Sequence, residues 1–413
     1  MTTVSLGRMT SNPAVETLQT NPAVEPRQQR YRSLDMWRGV ACLLVIIYHA
    51  ALVHQGYNNT QDDVGSVLLS IAGQGNIGVP IFFVISGYCI AASSDTERRK
   101  RQGVRSYFIR RFRRIFPPYW VMFFLLVAFH YLVDYRLFPS LLSSGPWAQL
   151  RPWWSPLWSW IGNLTLTENW REHVIGGAHH LYPAQNWTLC YEEQFYAIMG
   201  LLLFLARRYF YVAVSIVTIL VGVTMTVASR AGFAINGFFF DGSWLTFAAG
   251  ILVYYWIHYA DRKRRFLLAA ILIGATIWAM LYPKEVPGGR AAFWFSFILL
   301  LFHRWDGAIA SSRLVRPLAW CGTMCYSLYL VHQIPVKAVS QGLYWSGVTS
   351  SSQALFIVIP CCVVVSVILG YIFYFAVERH FLNNGSKTKH SVRQRSSANT
   401  TLDIPYGDRI VQS

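Results

Sequence analysis

The sequence predicts an all-α membrane protein, a polytopic bundle of about ten transmembrane helices. Of its 413 residues, 54% are hydrophobic and only 13% are charged. That is about half the charged fraction of a soluble globular protein. Long apolar stretches also recur along the chain, and they approach the roughly 20 residues that a helix needs to cross a membrane.

The apolar stretches give the predicted spans in chain order. They cover residues 36–53, 75–92, 116–133, 189–206, 209–228, 243–259, 266–282, 291–303, 324–343 and 355–377. The membrane domain is therefore predicted over residues 31–381. Residues 1–30 are polar and have no apolar h-region, so they are predicted to be a disordered cytoplasmic arm. Residues 382–413 are predicted to be a polar cytoplasmic tail.

Every second connection between the predicted spans is rich in Lys and Arg. Because Lys and Arg stay on the cytoplasmic side, this pattern gives the orientation of the protein in the membrane. Basic residues precede the first span and recur after every second span. Both termini are therefore predicted to be cytoplasmic. The net charge of +17 is explained in the same way, so we expect membrane lipid and no nucleic acid as a partner. The seven cysteines lie in apolar runs without metal-ligand spacing, which predicts small core residues and no metal site.

Residues 137–187 form a loop rich in Trp and Pro that is predicted to lie on the outer side. Its tryptophans have two interpretations that the sequence leaves open. They are typical of an aromatic belt at the lipid headgroups. They also suit a lid or a sugar-stacking platform over an outward-facing site.

The first span contains Arg38 and His49, which are costly in a membrane and are therefore functional candidates. They are eleven residues apart, which places them on nearly the same helix face and about 16 Å apart along the axis. Arg38 could instead form an i, i+3 pair with Asp35. His49 could be a structural buried histidine, or it could take a proton from a hydroxyl near neutral pH.

Further polar candidates lie at the start of the fourth span and in the ninth. Glu192 is predicted to face the bundle beneath the outer loop, whereas Glu193 could be a capping charge at the helix N-terminus. His332 follows Tyr329 by one turn, and a structural contact is as well supported there as a substrate contact. Glu378 is predicted to form a structural ion pair beside Arg379.

A basic run that includes Arg110, Arg111 and Arg114 precedes the third span. Its simplest interpretation is a positive-inside signal that also holds anionic lipid. Alternatively, arginines at these helical spacings form a set of forks for phosphate, as a nucleotide-bearing donor requires.

Taken in order, these motifs resemble the membrane-bound acyltransferase family 3. Its members O-acylate bacterial polysaccharides, lipopolysaccharide O-antigens, lipo-chitin oligosaccharides and macrolides. The resemblance extends from about Tyr31 to Phe381. It is carried by Arg38 and His49 (Arg-x10-His), Gly78 to Tyr88, Arg110, Arg111 and Arg114 (Arg-Arg-x-x-Arg-Ile-x-Pro), Trp187 to Tyr196, and Tyr326 to His332 (Tyr-Ser-x-Tyr-Leu-x-His). The Glu-Lys-Pro near the family's last helix reads Glu378-Arg379-His380 in this chain.

The resemblance implies a multi-pass enzyme of the cell inner (plasma) membrane. It transfers an acyl group, commonly acetyl, from acyl-CoA to a hydroxyl of a carbohydrate or glycoconjugate. Acyl-CoA is then a donor substrate, and no bound cofactor is expected. His49 and Glu192 are the expected catalytic residues, and Trp187, Tyr329 and His332 are expected to bind substrate. The four arginines Arg38, Arg110, Arg111 and Arg114 are expected to hold the CoA phosphates.

Some relatives carry a fused extracytoplasmic domain that has no counterpart here, so we expect this chain to act alone or with a separate extracytoplasmic partner. The rival hypothesis is a proton-coupled transporter or flippase, in which the same polar residues line a substrate path. Against it, the sequence shows no inverted repeat and no paired broken helices.

Overall fold

The computed structural model describes residues 31–57, 63–100, 103–132, 155–177, 179–233 and 236–382. All the helices below belong to one compact unit of the chain. Within the described ranges the structure contains helices and no strands, which confirms the all-α fold. The predicted arm (residues 1–30) and the tail beyond residue 382 lie outside the described residues.

The described residues form sixteen helices in chain order. They are α1 (Leu34–Tyr57), α2 (Asp63–Ala72), α3 (Gly78–Lys100), α4 (Val104–His130), α5 (Leu157–Leu164), α6 (Glu168–Ile175), α7 (Trp187–Leu205), α8 (Phe210–Arg230), α9 (Ser243–Tyr259), α10 (Arg262–Leu281), α11 (Gly289–Phe302), α12 (Asp306–Ser311), α13 (Arg316–Thr323), α14 (Cys325–Val331), α15 (Gln333–Trp345) and α16 (Ser351–Phe381).

Six helical segments in the described part of the chain are long and apolar enough to cross a membrane. They are Leu34–Gln55, Val64–Lys100, Val104–His130, Arg207–Arg230, Arg262–Leu281 and Ser351–Phe381. Each overlaps one of the predicted spans. Three of the remaining predictions coincide with the shorter or less apolar helices α7, α9 and α11, of 19, 17 and 14 residues. The structure thus supports a membrane helix bundle, while ten spans remains a prediction.

The ninth predicted span divides into α14 and α15, with His332 between them. His332 keeps helical backbone angles (φ −57°, ψ −29°), its N–H donates to the carbonyl of Leu328, and its carbonyl accepts from the N–H of Val336. Pro335 has no backbone N–H to donate to the carbonyl of Val331, so one hydrogen bond of the helical ladder is missing at this point.

Helix α4 begins at Val104, twelve residues before the predicted span, so it contains the basic run. It continues through Pro117 and Pro118. These prolines leave the carbonyls of Arg113 and Arg114 without their usual helical donors. The three candidate arginines of this run therefore share one helix, and their directions differ by about 100° per residue.

Two close helix crossings depend on glycine. Where α1 crosses α13, a side chain at Gly39 would collide with the backbone carbonyl of Leu318, and one at Gly322 with that of Asp35. Where α3 crosses α9, a side chain at Gly87 or Gly250 would meet the opposite backbone in the same way. Small residues allow such close approach of membrane helices. The crossings fix the positions of Arg38 and Ser86, which are the neighbours of Gly39 and Gly87.

Candidate functional site

A cavity of about 110 Å³ lies inside the bundle, where α1, α3, α4, α7 and α14 meet. Apolar and cysteine side chains form part of its wall. Its other lining residues are Arg38, Ser86, Arg111, Arg114, Thr188, Glu192, Tyr196, Tyr326 and Tyr329. The fold therefore brings five of the sequence-predicted site residues to one cavity: Arg38, Arg111, Arg114, Glu192 and Tyr329.

Arg38 enters the cavity wall from α1. One guanidinium nitrogen donates to the carboxylate of Asp35 at 2.5 Å, and another lies 2.9 Å from the Cys89 sulfur. The ion pair that the sequence suggested as an alternative is therefore present. Arg38 nevertheless lines the cavity, so the pair holds the guanidinium in place at the cavity wall.

Arg111 and Arg114 line the cavity from α4. Arg111 lies over the aromatic rings of Tyr107 and Tyr196, at 5.8 Å and 5.2 Å from their centroids. Among the described residues, neither arginine forms an ion pair. Two guanidinium groups are thus presented to the cavity without a carboxylate partner, as a site for an anion requires.

Arg110 points elsewhere, although it belongs to the same motif. It forms an ion pair with Glu97 of α3 and donates to the hydroxyl of Ser106 at 2.5 Å. Arg110 is absent from the cavity lining. Its contacts join α3 to α4, which is a structural role in this conformation.

Glu192 is the only carboxylate among the residues that line the cavity. One of its oxygens accepts a hydrogen bond from Ser86 at 2.8 Å and another from the Tyr196 hydroxyl. These three side chains come from α3 and α7. Thr188, one turn before Glu192, also lines the cavity, in agreement with the helical spacing.

Tyr329 closes another part of the cavity wall. Its hydroxyl is 2.6 Å from that of Thr188 and donates to the backbone carbonyl of Gln185. Trp187 lies at the first position of α7 but does not line the cavity. It is 39% exposed and packs edge-on against Phe83.

His49 and His332 form a pair of imidazoles, with ring centroids 5.2 Å apart. The Nδ1 atom of His332 donates to the carbonyl of Tyr329 at 2.7 Å, which leaves Nε2 as the acceptor of a neutral ring. That Nε2 atom is buried and has no hydrogen-bond partner among the described residues. A buried polar atom without a partner is uncommon in folded proteins, and here it lies beside the predicted base.

Neither histidine is a lining residue of the cavity, but each follows a lining residue by one helical turn. Val45 is a lining residue of α1, and His49 follows it by one turn on the same face. In the same way His332 follows Tyr329, a lining residue of α14. In the described part of the structure, no hydrogen bond or ion pair joins His49 to Glu192. The two expected catalytic residues therefore lie in different parts of the site.

Glu378 differs from its predicted role. Its carboxylate accepts hydrogen bonds from the backbone N–H of Ser327 at 3.0 Å and from the Ser327 hydroxyl at 2.5 Å. Arg379 instead lies over the ring of Phe375. The predicted Glu378–Arg379 ion pair is therefore wrong, because the last helix turns the carboxylate inward toward the first turn of α14.

The described part of the outer loop is folded against the bundle. The buried side chains of Glu168 and Arg171 form an ion pair with contacts of 2.7 Å and 3.0 Å. Trp170 stacks on Phe238 in the connection between α8 and α9. In that connection, burial raises the pKa of Asp241, which accepts a hydrogen bond from Tyr191 of α7. The connection is thus held to the outer end of α7. Trp147, Trp153 and Trp154 lie outside the described residues.

Ser86 and Tyr196 lie within the family motifs but were not among the predicted site residues. Tyr196 follows Glu192 by one helical turn, so its position could have been inferred from the motif. The contact between Ser86 and Glu192 joins residues 106 positions apart, and no local pattern reports it. Ser86 was noticeable only as a hydroxyl within an apolar helix.

The fold and the site together define an integral membrane protein with an arginine-lined cavity, a carboxylate and an adjoining pair of histidines inside its helix bundle. The model of the acyltransferase 3 family, described as an acyltransferase domain, matches residues 31–375. This is most of the chain, and the chain belongs to that family. The resemblance found in the sequence motifs is thereby confirmed.

Curated relatives have names of the same kind. The chain is 30% identical to the acyltransferase MdmB of Streptomyces mycarofaciens, over 44% of this chain and 42% of the relative. It is 29% identical to the peptidoglycan O-acetyltransferase OatA of Listeria monocytogenes, over 40% of this chain and 23% of that protein. It is 23% identical to YrhL of Bacillus subtilis, provisionally named a peptidoglycan O-acetyltransferase, over 86% of this chain and 55% of the relative.

The chain spans about half or less of the length of these relatives. No solved structure matches it.

Proposed function

We propose that this protein is a membrane O-acyltransferase that moves an acyl group, most simply acetyl, from acyl-CoA to a hydroxyl of a carbohydrate or glycoconjugate. The observation that supports this most directly is the cavity in which Arg111 and Arg114 meet Glu192 without pairing with it. Family membership gives the reaction class. The cavity supplies the two features that the reaction needs, an anion site and a nearby proton acceptor.

Arg111 and Arg114 are proposed to bind the phosphates of CoA, with Arg38 at the same cavity wall. Guanidinium groups pair with phosphate oxygens through two parallel hydrogen bonds, and such charge-assisted bonds are stronger than neutral ones. Arg38 is already bonded to Asp35, so we assign it the smaller share of the binding energy. Arg110 supports the site indirectly, through its ion pair with Glu97.

His49 is proposed to act as the general base. The acceptor hydroxyl attacks the thioester carbonyl, a C–O bond forms and the C–S bond breaks. His49 takes the hydroxyl proton and returns it to the departing CoA thiolate. Alternatively, His49 carries the acyl group briefly before the acceptor arrives. Direct transfer and transfer through an acyl-histidine both need the imidazole of His49 at the same place. Substitution of His49 therefore tests the role of the residue but does not distinguish the two routes.

His332, Tyr329 and Trp187 are proposed to form the acceptor side. The buried Nε2 atom of His332 lacks a partner, and an acceptor hydroxyl would supply one. Relatives named as peptidoglycan O-acetyltransferases suggest a polysaccharide as the acceptor. The outer loop, anchored on α7, lies above this end in the proposed topology.

The protein is proposed to lie in the inner (plasma) membrane of the cell. Its proposed topology has about ten spans, with both termini in the cytoplasm. The basic ends of α3, α4 and α10 then face the cytosol, where acyl-CoA is made. The donor then enters from the cytosolic side of the membrane and the acceptor from the outer side. A separate extracytoplasmic protein is proposed to complete the transfer if the chain does not act alone.

The proposal is tested by incubating membranes that contain the protein with radiolabelled acetyl-CoA and the host's glycan fraction. We expect alkali-labile label in the glycan, and we expect it to disappear with His49→Ala. A transporter would instead move unmodified glycan across the membrane without forming an ester. Unchanged ester formation by correctly inserted His49→Ala would remove His49 from the mechanism.

A further inference from the structure

A second site lies away from the cavity, on the surface that α8, α9 and α10 present to the membrane. These helices enclose a groove of about 560 Å³. Most of its lining side chains are apolar, among them Val212, Ile219, Leu267 and Ile271. Both α8 and α10 are helices that can cross a membrane. The groove therefore opens toward lipid hydrocarbon.

The length of the groove fits an acyl chain. On α10 its lining runs from Arg264 to Trp278, which is about 21 Å at the rise of an α-helix. One leaflet of a bilayer contributes about 15 Å of hydrocarbon thickness. The groove is therefore long enough to hold, along its full length, the acyl chain of a lipid from one leaflet.

One end of the groove is polar and positively charged. Arg264 lines it there and donates to the hydroxyl of Tyr255 at 3.2 Å. Its contact with Asp261 is long, at 3.6 Å, and both side chains are more than half exposed, so that carboxylate neutralises it weakly. Arg262, Lys263 and Arg265 flank it in sequence. The local charge thus favours an anion.

Two tyrosines line the same end of the groove. The rings of Tyr211 and Tyr255 are 5.1 Å apart, and the Tyr255 hydroxyl accepts the hydrogen bond from Arg264. This end of the groove therefore suits a polar headgroup better than an apolar side chain of a neighbouring protein.

We infer that this groove binds one phospholipid with an anionic headgroup, its acyl chain along α10 and its phosphate at Arg264, beside Tyr255. Basic pockets between membrane helices bind such headgroups. The site is independent of the proposed acyl transfer, because none of its lining residues lines the arginine cavity.

The test is native mass spectrometry of the purified full chain with phosphatidylglycerol or phosphatidylethanolamine carrying the same acyl chains. We expect one phosphatidylglycerol per chain to be retained in preference to phosphatidylethanolamine. Arg264→Ala should weaken retention by about tenfold, as expected for the loss of one charge-assisted hydrogen bond. Lys263→Ala is the matched control, because Lys263 is an exposed neighbour that does not line the groove.

A second variant tests the apolar part of the site. Ala275→Trp places a bulky side chain in the groove and should remove both lipids, with thermal unfolding showing that the variant is folded. Equal retention of the two lipids would overturn the inference, as would unchanged phosphatidylglycerol binding by Arg264→Ala. Retention of a second copy of the chain by the same face would also overturn it.

Discussion

The imidazole rings of His49 and His332 lie 5.2 Å apart, and each histidine follows a lining residue of the arginine-lined cavity by one helical turn. His49 comes from α1, whereas His332 lies between α14 and α15 and is bonded to the carbonyl of Tyr329. That bond orients the His332 ring, while no such bond to a described residue constrains His49. The two histidines therefore suit different tasks, His332 that of a fixed acceptor and His49 that of a group that exchanges a proton.

We expect His49→Ala to lower the rate of ester formation by about 10²- to 10⁴-fold, the usual contribution of a positioned general base. His332→Asn should mainly raise KM for the acceptor, because it removes the unpartnered Nε2 atom and leaves His49 in place. Steady-state kinetics with varied acceptor concentration distinguish the two effects.

His54→Gln is the control for these variants, because His54 is a buried histidine of the same helix, five residues beyond His49. It should insert and transfer acyl groups at close to the original rate. If His54→Gln lost as much activity as His49→Ala, the effect would come from general damage to α1 and not from lost base catalysis.

Substitutions of the arginines of α4 should differ in their effect on KM for acyl-CoA, because the arginines point in different directions around the helix. Arg114→Ala removes a guanidinium from the cavity and should raise KM for acyl-CoA about tenfold or more, since a hydrogen bond to a charged group contributes about 1.5–3 kcal/mol. Arg111→Ala should act in the same direction. Kinetics with varied acyl-CoA concentration measure the change.

Arg110→Ala provides the comparison within the same motif. It breaks the ion pair with Glu97 and should lower the thermal unfolding temperature while leaving KM for acyl-CoA nearly unchanged. A rise in KM as large as that of Arg114→Ala would mean that Arg110 turns into the cavity when donor binds.

The fold class and the position of Arg38 and His49 on one helix face could be predicted from the sequence, because apolar content and helical periodicity are local signals. The difference between Arg110 and Arg114 could not. Both arginines belong to one motif, and only the packing of α3 against α4 shows that Arg110 forms an ion pair with Glu97. Long-range pairing of charges leaves no trace in spacing.

Glu378 shows that residues adjacent in sequence need not interact. Its neighbour Arg379 suggested an ion pair, but adjacent residues on a helix point about 100° apart. The side chain instead bonds to Ser327, 51 residues away. Likewise, the contact of His49 with His332 joins rings that are 283 residues apart in the chain, and no local pattern reports it.

Ser86, Glu192 and Tyr196 should behave as one unit. The substitutions Ser86→Ala and Glu192→Gln each remove one member of the same hydrogen bond, so their effects on kcat should not add. A double-mutant cycle is expected to give a coupling of about 0.5–3 kcal/mol, as for residues in direct contact. Additive effects would show that the hydrogen bond has no role in transfer.

The outer loop should depend on the ion pair between Glu168 and Arg171, whose side chains are 0% and 5% exposed. Arg171→Ala leaves a buried carboxylate unpaired, which typically costs about 3–5 kcal/mol. Limited proteolysis of the loop and thermal unfolding measure the loss. Glu172→Gln is the control, because its contact with His173 is exposed and long, at 3.8 Å, and such pairs contribute about 0–1 kcal/mol.

The glycine crossing of α3 and α9 should control both stability and the site. Gly250→Leu forces a side chain against the backbone of α3 near Val84, and overpacking of this kind usually costs about 1–3 kcal/mol. Gly274→Leu on α10 is the matched control, because a side chain there meets open space. Thermal unfolding in detergent should separate the two variants.

The same crossing links stability to chemistry. Ser86 lies beside Gly87 on the stretch of α3 that Gly250 approaches, so separating the helices moves the Ser86 hydroxyl relative to Glu192. We therefore expect Gly250→Ala, the mildest substitution, to lower kcat in protein that is still folded, while Gly274→Ala leaves kcat unchanged. Equal kcat values for these two variants would show that the crossing supports the bundle without positioning the cavity.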